Sequence, residues 1–403
     1  MSQETTSIPV TTELIPDFYT DFHCIAHRCQ DNCCHDWSII FSKKDYLTIK
    51  RAPKSPELEE LTQKAMRRLP DGTRTAEQYG EFAARSGSCP FQREDKLCAL
   101  QLGCGEATLP KVCRQFPRME QYTPLGLCRS LSTACEAVVE LLWQRSQGIT
   151  FVENPLKKEL QRFVPWSKAK KAHPILLSGA IDILQARQFP LSRRLLLLGL
   201  ALEDVKKSGF EQFDPQAWGA KTALLLQNPA LSDNLEGLEK NRHIYLGHQY
   251  HTLVLLANKN PVWSKLLYQT GVSMQAAGTQ LTVNYSVQSY EQLLHQFQSH
   301  FSEHTFFWEN LLVNTWFHLQ LPSVSSEEDL WKSYVNFCNL YGLFRFVAVL
   351  NCGETPTEEK LFQAIVMVSR SLLHNSGRML SLRDELFKHD SATLAHMAIL
   401  VQD

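Results

Sequence analysis

The chain has 403 residues, of which 44% are hydrophobic and 21% are charged, and its formal net charge is −1. This length predicts two to three domains with enough chain for substantial cores. The balanced charge and the lack of a basic tract with interleaved aromatic residues give no reason to expect a nucleic-acid partner.

The N-terminal segment, residues 1–21, carries acids and prolines and is expected to be loose. It lacks the basic start and apolar run of a secretory signal. The longest uninterrupted apolar stretch, residues 195–202, is too short to cross a bilayer. We therefore expect a cytoplasmic protein without a membrane span.

Residues 22–150 are predicted to form a loop-rich cysteine domain. Ten of the twelve cysteines lie here, in one group at residues 24–34, a second at residues 89–113, and two that follow at 128 and 135. Short helices are predicted with Asp45 as a cap, over Ser55–Leu69 and over Cys135–Gln147. Because cysteine density falls after this point, we place a domain boundary near residue 150.

Residues 151–403 are predicted to form an all-α domain, so the fold class is mainly α. Pro190 and Gly209 bracket one apolar helix, and Ser326 and Thr357 resemble N-terminal caps of later ones. Only residues 281–286 indicate a strand. Apolar residues at three- and four-residue spacing predict the remaining helices over 287–303, 305–320, 326–350, 357–374 and 391–401.

The cysteines point to a metal or iron-sulfur site. Close thiols in a chain without an export signal bind metals more often than they form disulfides, because the cytosol is reducing. The alternatives are a disulfide framework and unrelated buried cysteines. Ten thiols also exceed the four ligands of one centre, and the spare ones could be core residues, a second metal site or a redox pair.

Spacing alone favours iron-sulfur over zinc only slightly. Cys29 and Cys33 match the first spacing of radical S-adenosylmethionine enzymes, but Asp36 stands where their third cysteine would be. Zinc-ribbon spacing would need C-x2-C pairs, and neither group contains one. Zinc therefore stays open as the alternative metal.

Two other groups of residues are weaker candidate sites. His243, His248 and His251 include two side chains on one helical face, but partly buried or surface histidines are the commoner outcome without an acidic ligand nearby. The second group is a stripe of aromatic residues, which consists of Phe306, Phe307, Trp308, Trp316 and Phe317. Such a stripe more often belongs to the hydrophobic core than to a groove that binds a cation.

Several segments together resemble the flagellin lysine-N-methylase family, which is itself similar to small cysteine-cluster proteins that chelate iron or zinc. They are CIAHRCQDNCCHDW from Cys24, CPF from Cys89 with LCAL from Leu97, LPKVCRQFPR from Leu109, SLSTAC from Ser130 and WENLLVNTWFHL from Trp308. Cys104 and Cys128 have no matching position, and Ala134 precedes Cys135 where the family has a proline-bearing S-C-P-E pattern. The resemblance leaves eight candidate metal ligands: Cys24, Cys29, Cys33, Cys34, Cys89, Cys98, Cys113 and Cys135.

The resemblance implies a protein-lysine N-methyltransferase of the bacterial flagellum. Such a protein would transfer a methyl group from S-adenosylmethionine to lysine side chains of flagellin in the cytoplasm and carry a [4Fe-4S] cluster. The cluster would either fold residues 22–135 or bind the donor, since methyl displacement itself does not need it.

The sequence identifies neither the donor pocket nor a catalytic residue. Lysine must lose a proton before it can attack, and a carboxylate or Tyr could accept that proton. Asp36 and Glu106 lie beside cysteines and are the nearest candidates, although surface carboxylates are the commoner reading of both. Since Gly103-Cys-Gly-Glu completes no nucleotide-binding glycine loop, the rival function is a non-catalytic metal-chelating or redox-sensing module with a helical partner-binding domain.

Overall fold

A computed structural model describes residues 6–30, 32–35, 39–83, 87–158, 162–166, 168–227, 241–258, 260–269, 273–277 and 280–402. Up to residue 166, short strands alternate with short helices. The strands are β1 Thr6–Val10, β2 Thr12–Pro16, β3 Ile40–Phe41, β4 Met66–Arg68, β5 Gly80–Phe82, β6 Arg118–Thr123, β7 Gly126–Leu131, β8 Phe151–Pro155 and β9 Arg162–Trp166. The helices are α1 Lys43–Arg51, α2 Pro56–Ala65, α3 Ala99–Cys104, α4 Lys111–Gln115 and α5 Glu136–Trp143.

From residue 168 onward the described chain is almost entirely helical, which confirms the mainly α prediction. One hairpin interrupts the helices, with strands β10 Ser273–Ala277 and β11 Gln280–Asn284. Strand β11 overlaps the strand predicted at 281–286 but ends two residues earlier. The helices are α6 Lys168–Leu184, α7 Leu191–Ser208, α8 Pro215–Gln227, α9 Arg242–Ala257, α10 Pro261–Gln269, α11 Val287–His300, α12 Phe306–His318, α13 Glu327–Cys352, α14 Glu358–Leu372, α15 Ser376–Lys388 and α16 Leu394–Leu400.

The N-terminal segment takes part in the sheets. Strand β1 pairs antiparallel with β9, and β2 lies in a four-stranded sheet between β7, to which it is parallel, and β8, to which it is antiparallel. Phe18, just after β2, is only 1% exposed. Residues 6–21 thus differ from the loose segment expected, because their partners lie more than 100 residues away and leave no local pattern in the sequence.

Several helix boundaries follow the predicted caps. Helix α7 begins after Pro190 and ends before Gly209, as predicted. The hydroxyl of Ser326 accepts from the backbone N–H of Asp329, and Thr357 accepts from that of Lys360, which confirms both caps.

Three boundaries in the cysteine region were predicted wrongly. Helix α1 is capped by Ser42, whose hydroxyl accepts from the backbone N–H of Asp45 and donates to its carboxylate. The helix expected over Ser55–Leu69 ends at Ala65, because the next three residues pair with β5 as strand β4. The helix after Cys135 ends at Trp143, well before Gly148.

The main hydrophobic core surrounds α13, whose middle is buried almost completely. This helix is long and apolar enough to cross a membrane by length and composition, but 89% of that stretch is buried inside the protein. Helix α7 packs so closely against it that a Cβ at Gly199 would lie 2.3 Å from the hydroxyl of Tyr334. The core includes Phe22 and Leu142 from before residue 150, and the domain boundary near that residue stays a prediction.

A second, smaller core lies under the cysteines. It is formed by apolar residues between Ile39 and Leu109, including Phe41, Phe82 and Phe91. Half-buried cysteines pack against its edge; they are Cys89, Cys98, Cys104 and Cys113. This core positions the thiols described next.

Candidate metal centre and adjoining cavity

Backbone hydrogen bonds join the two groups of cysteines. The N–H of Cys89 donates to the carbonyl oxygen of Cys34 at 2.7 Å. Next to it, the hydroxyl of Ser88 and Nδ1 of His35 are 3.0 Å apart. Segments 55 residues apart in sequence are therefore held side by side.

A tight loop then brings Cys98 back toward Cys89. The N–H of Arg93 donates to the carbonyl of Leu97 at 2.9 Å, and the N–H of Ala99 donates to that of Phe91 at 2.8 Å. Cys98 occupies the cap position of α3, and Cys135 occupies that of α5. Two of the thiols thus stand at helix N-termini, where the helix dipole favours a thiolate.

Three thiols form a hydrogen-bonded row with Cys34 in the middle. The hydrogen bond with Cys34 lowers the pKa of Cys33 to about 7 and also lowers the pKa of Cys89. The same bonds to its two neighbours raise the pKa of Cys34. The outer two thiols are therefore the first of the row to become thiolates, and thiolate is the form that binds soft metals.

The other thiols are coupled to this row through their charges. Burial, followed by neighbouring thiolates, raises the pKa of Cys29 and of Cys135 to about 12. The same causes raise the pKa of Cys113. The charge of Cys33 acts to raise the pKa values of six other thiols, which are Cys29, Cys34, Cys89, Cys98, Cys113 and Cys135. The charge of Cys24 acts in the same way on Cys29 and Cys135. All eight predicted ligands are therefore electrostatically coupled.

Groups around the thiols favour the charged form. Backbone N–H groups just after Cys89, Cys98 and Cys135 donate to these sulfurs and lower their pKa values against the effect of burial. The guanidinium of Arg370, from α14, lowers the pKa of Cys33. Such N–H donors also tune metal-thiolate centres.

The two cysteines that matched no family position make other contacts, although Cys104 packs against the same small core as Cys89, Cys98 and Cys113. The thiol of Cys104 donates to the carbonyl oxygen of Pro53 at 3.4 Å. Cys128 is buried in the main core beside the hydroxyl of Thr123, and burial raises its pKa to about 11.

The donor chemistry of the eight thiols fits a thiolate-bound iron-sulfur cluster or zinc. Among the described residues, however, no three side chains of His, Cys, Asp or Glu converge on one point at metal-binding distance. The thiols are thus electrostatic neighbours, and a bound metal would require their side chains to rearrange.

The remaining predicted site residues are not part of this cluster. Asp36 lies outside the described residues, and Glu106 is exposed in a short 3-10 turn. His248 hydrogen-bonds Oδ1 of Asn339 at 2.9 Å, and burial lowers its pKa. His243 and His251 are exposed.

A cavity of about 850 Å³ opens in the helical region, between α7, α11, α12 and α13. Its size falls within the range of small-molecule sites. Aromatic side chains form much of its wall: Phe189, Phe297, Phe301, Phe306, Trp308 and Tyr341.

A buried ion-pair network lies in the cavity wall. Glu309 is 2% exposed, and its carboxylate accepts from Nε of Arg187 at 3.0 Å and from Nη1 of Arg194 at 2.6 Å. Arg345 brings a third guanidinium, 4.8 Å above the ring of Trp308. The described residues of the wall thus include three arginines and one glutamate.

The aromatic stripe of α12 therefore has two roles. Phe307, Trp316 and Phe317 are core residues, whereas Phe306 and Trp308 also line the cavity. The cation over Trp308 is supplied by the protein itself. Sequence reasoning missed this site because Arg187, Glu309 and Arg345 are far apart in the chain; the only sequence signal was the segment beginning WEN at Trp308.

Comparison with known proteins identifies the helical region. Residues 178–400, more than half of the chain, match the family model described as the FliB lysine N-methylase C-terminal domain. No solved structure matches the chain.

Curated relatives come from Salmonella. Two proteins named Lysine-N-methylase, from Salmonella choleraesuis and Salmonella typhimurium, are 28% identical over 161 residues, which is 39% of this chain and 38% of each relative. The chain thus spans well under half of their length. The flagellar biosynthetic protein FliU of Salmonella muenchen is 33% identical over 128 residues, which is 30% of this chain and 72% of that protein. The chain belongs to the FliB lysine N-methylase family.

Proposed function

We propose that this protein is a cytoplasmic protein-lysine N-methyltransferase that uses S-adenosylmethionine and modifies flagellin. The observation that carries the proposal is the match to the FliB lysine N-methylase domain across α7–α16. The names of the relatives, lysine-N-methylase and flagellar biosynthetic protein, support the reaction and the substrate.

The eight grouped thiols are proposed to hold a [4Fe-4S] cluster, with zinc as the alternative. The support comes from the donor set, which consists of sulfur ligands with N–H donors around them and Arg370 nearby. Four thiolates suffice for one such cluster. The others would support the fold of the cysteine loops or exchange as ligands.

The reaction places definite demands on the protein. S-adenosylmethionine supplies an electrophilic methyl group when it is bound. The lysine nitrogen forms the new N–C bond as the bond between methyl carbon and sulfur breaks, sulfur keeps the electron pair, and a proton leaves nitrogen for a base. Because lysine has an ordinary pKa near 10.4, the site must desolvate the amine or place it beside a positive charge so that it is neutral when it attacks.

A second candidate function is a non-catalytic metal-chelating or redox-sensing module. The hydrogen-bonded row of Cys33, Cys34 and Cys89 favours it, because adjacent thiols are also suited to reversible oxidation. The helical region would then dock a partner.

Methyl transfer to flagellin tests the proposal. Protein purified without oxygen would be incubated with flagellin and methyl-labelled S-adenosylmethionine, and modified lysines would be located by mass spectrometry. We expect label on flagellin lysines with the wild-type protein and with Cys104→Ala, and much less with Cys33→Ala. If wild-type protein with its metal in place transfers no label, the methyltransferase proposal fails and the chelating module is favoured.

A further inference from the structure

A lysine side chain joins the two groups of cysteines. Nζ of Lys96 donates to the backbone carbonyl oxygen of Cys29 at 3.0 Å, although the two residues are 67 positions apart in sequence. Lys96 lies in the tight loop that follows Cys89, two residues before Cys98. Cys29 is 8% exposed and is the most buried of the eight candidate ligands. The hydrogen bond therefore ties the loop that carries Cys98 to the backbone of a buried thiol.

The backbone at Lys96 indicates that its side chain has a role. Its φ is 64°, in the left-handed region, which glycine adopts without strain and lysine does not. Hydrogen bonds fix the turn, because the N–H of Lys96 donates to the carbonyl of Arg93 at 3.0 Å and the N–H of Leu97 donates to the carboxylate of Asp95 at 3.1 Å. Residues held in such conformations cluster at functional sites. A lysine here, where glycine would fit better, points to a function of the ammonium group.

A second contact holds the same segment from another side. A carboxylate oxygen of Glu136 accepts from the backbone N–H of Gln30 at 2.9 Å. Glu136 directly follows Cys135 and is the first residue of α5. Residues 29 and 30 are thus held by side chains from next to Cys98 and next to Cys135. Both contacts are made to the backbone, so the thiol side chains can rearrange around a metal while the chain that carries them stays in place.

We propose that Lys96 is a positioning residue of the metal centre, which holds the backbone of Cys29 beside the loop of Cys98 and supplies a positive charge there. The proposal rests on the proposed function, because that function includes a thiolate-bound cluster. Charge close to such a cluster is one of the factors that set its reduction potential, and an ammonium group favours the more negative, reduced form. Replacement of residues that orient metal ligands typically weakens metal binding about 10- to 100-fold.

Three substitutions of Lys96 separate this role from a merely structural one. Lys96→Met removes the ammonium and keeps the aliphatic stem, whereas Lys96→Arg keeps a positively charged donor. Lys96→Gly removes the donor but also relieves the strained backbone, so the turn and the metal centre should respond in opposite directions. Lys64→Met is the matched control, because Lys64 is an exposed lysine of the same region that pairs with Glu60 on the surface.

Metal release and reduction potential provide the two measurements. Each full-length variant would be purified without oxygen, the loss of metal to excess EDTA would be followed with time, and the potential would be measured by electron paramagnetic resonance of the reduced protein. We expect Lys96→Met and Lys96→Gly to lose metal about 10-fold faster than wild type and to have a lower potential. Lys96→Arg and Lys64→Met should resemble wild type in both properties. Circular dichroism checks the fold, and Lys96→Gly keeps the test valid if Lys96→Met unfolds.

Equal metal loss from wild type and from the folded Lys96 variants would overturn the inference, and an unchanged potential in Lys96→Met would overturn the role given to its charge. Zinc in place of iron would also overturn the role of the charge, and a wild-type chain without any metal would overturn the inference together with the proposed centre. Flagellin labelling by a protein in which Lys96 has no effect on metal release would contradict the inference alone. Faster release from the Lys96 variants of a protein that labels no flagellin would contradict the methyltransferase proposal alone.

Discussion

Nε of Arg370 donates to the backbone carbonyl oxygen of Ala134 at 3.1 Å, which joins helix α14 to the residue before Cys135. The hydroxyls of Thr133 and Ser369 are 2.8 Å apart in the same contact. The helices that define the family therefore hold one of the cysteine loops directly. This contact makes the thiol cluster and the helical region a single structural unit.

Arg370 is expected to stabilise that unit. Arg370→Met keeps the aliphatic stem but leaves the carbonyl of Ala134 without this donor, and we expect the free energy of unfolding to fall by about 1–2 kcal/mol. Arg93→Met is the control, because Arg93 is exposed and pairs with Asp95 at 2.8 Å, and such surface pairs contribute at most about 1 kcal/mol. Urea unfolding measures both. Equal effects of the two substitutions would show that the contact contributes nothing beyond an ordinary surface ion pair.

The Glu309 network should be far more sensitive. Glu309→Gln leaves the buried guanidinium of Arg194 without its charged partner, and breaking such a pair costs about 3–5 kcal/mol. Glu328→Gln removes a carboxylate of an exposed pair with Lys206, at 3.4 Å, and should cost less than about 1 kcal/mol. Chemical denaturation compares the two. A loss below 1 kcal/mol for Glu309→Gln would contradict the role given to this ion pair.

Acid should weaken the fold through His318. Burial, with the charge of His374 as a smaller cause, lowers the pKa of His318 to about 4, and its Nδ1 lies 2.9 Å from the hydroxyl of Ser130. An unfolded histidine takes up a proton near pH 6.5, whereas the folded one does so only near pH 4. Between these values the unfolded chain binds more protons at this histidine. The contribution of His318 to stability therefore falls as the pH falls, and this contribution levels off below pH 4.

The size of this effect is about 3 kcal/mol over that range. Other buried histidines contribute in the same direction, because burial also lowers the pKa values of His173 and His374. The free energy of unfolding should therefore decrease less between pH 7 and 4.5 in His318→Gln than in wild type. His295→Gln, at an exposed position, should behave as wild type does. An unchanged pH dependence in His318→Gln would refute this account.

Cysteine substitutions should divide into two classes. Cys33→Ala and Cys113→Ala remove thiols from the group of eight and should lower the iron bound per chain strongly. Cys104→Ala removes a half-buried thiol whose contact is the carbonyl of Pro53, and it should leave the iron content unchanged. Elemental analysis of each purified variant measures this. If Cys104→Ala lost iron to the same extent, Cys104 would also be a metal ligand, and the assignment of the eight ligands would be wrong.

Local signals predicted much of the helical region. The apolar spacing and the caps at Ser326 and Thr357 act within a few residues, so they are visible in the sequence and were confirmed. Strands β1, β2, β7 and β8 were missed because strand pairing depends on partners that are distant in the chain. For the same reason Ser55–Leu69 was predicted as one helix although β5 draws its last residues into a sheet.

The two parts of the candidate site differ in the same way. The set of eight candidate ligands was expected from the family resemblance and stays a prediction. Cys104 and Cys128, which have no matching position, contact the carbonyl of Pro53 and the hydroxyl of Thr123. The cavity was not foreseen, since Arg187, Glu309 and Arg345 meet only through the packing of α7, α12 and α13. A buried glutamate within an apolar helix was the one local hint.

The central claim is that the eight thiols form an iron-sulfur centre. The metal content of protein purified without oxygen tests this claim most directly. We expect about four iron and four sulfide ions per chain, as a [4Fe-4S] cluster requires. One zinc per chain without sulfide would contradict that claim and identify a zinc-thiolate centre instead.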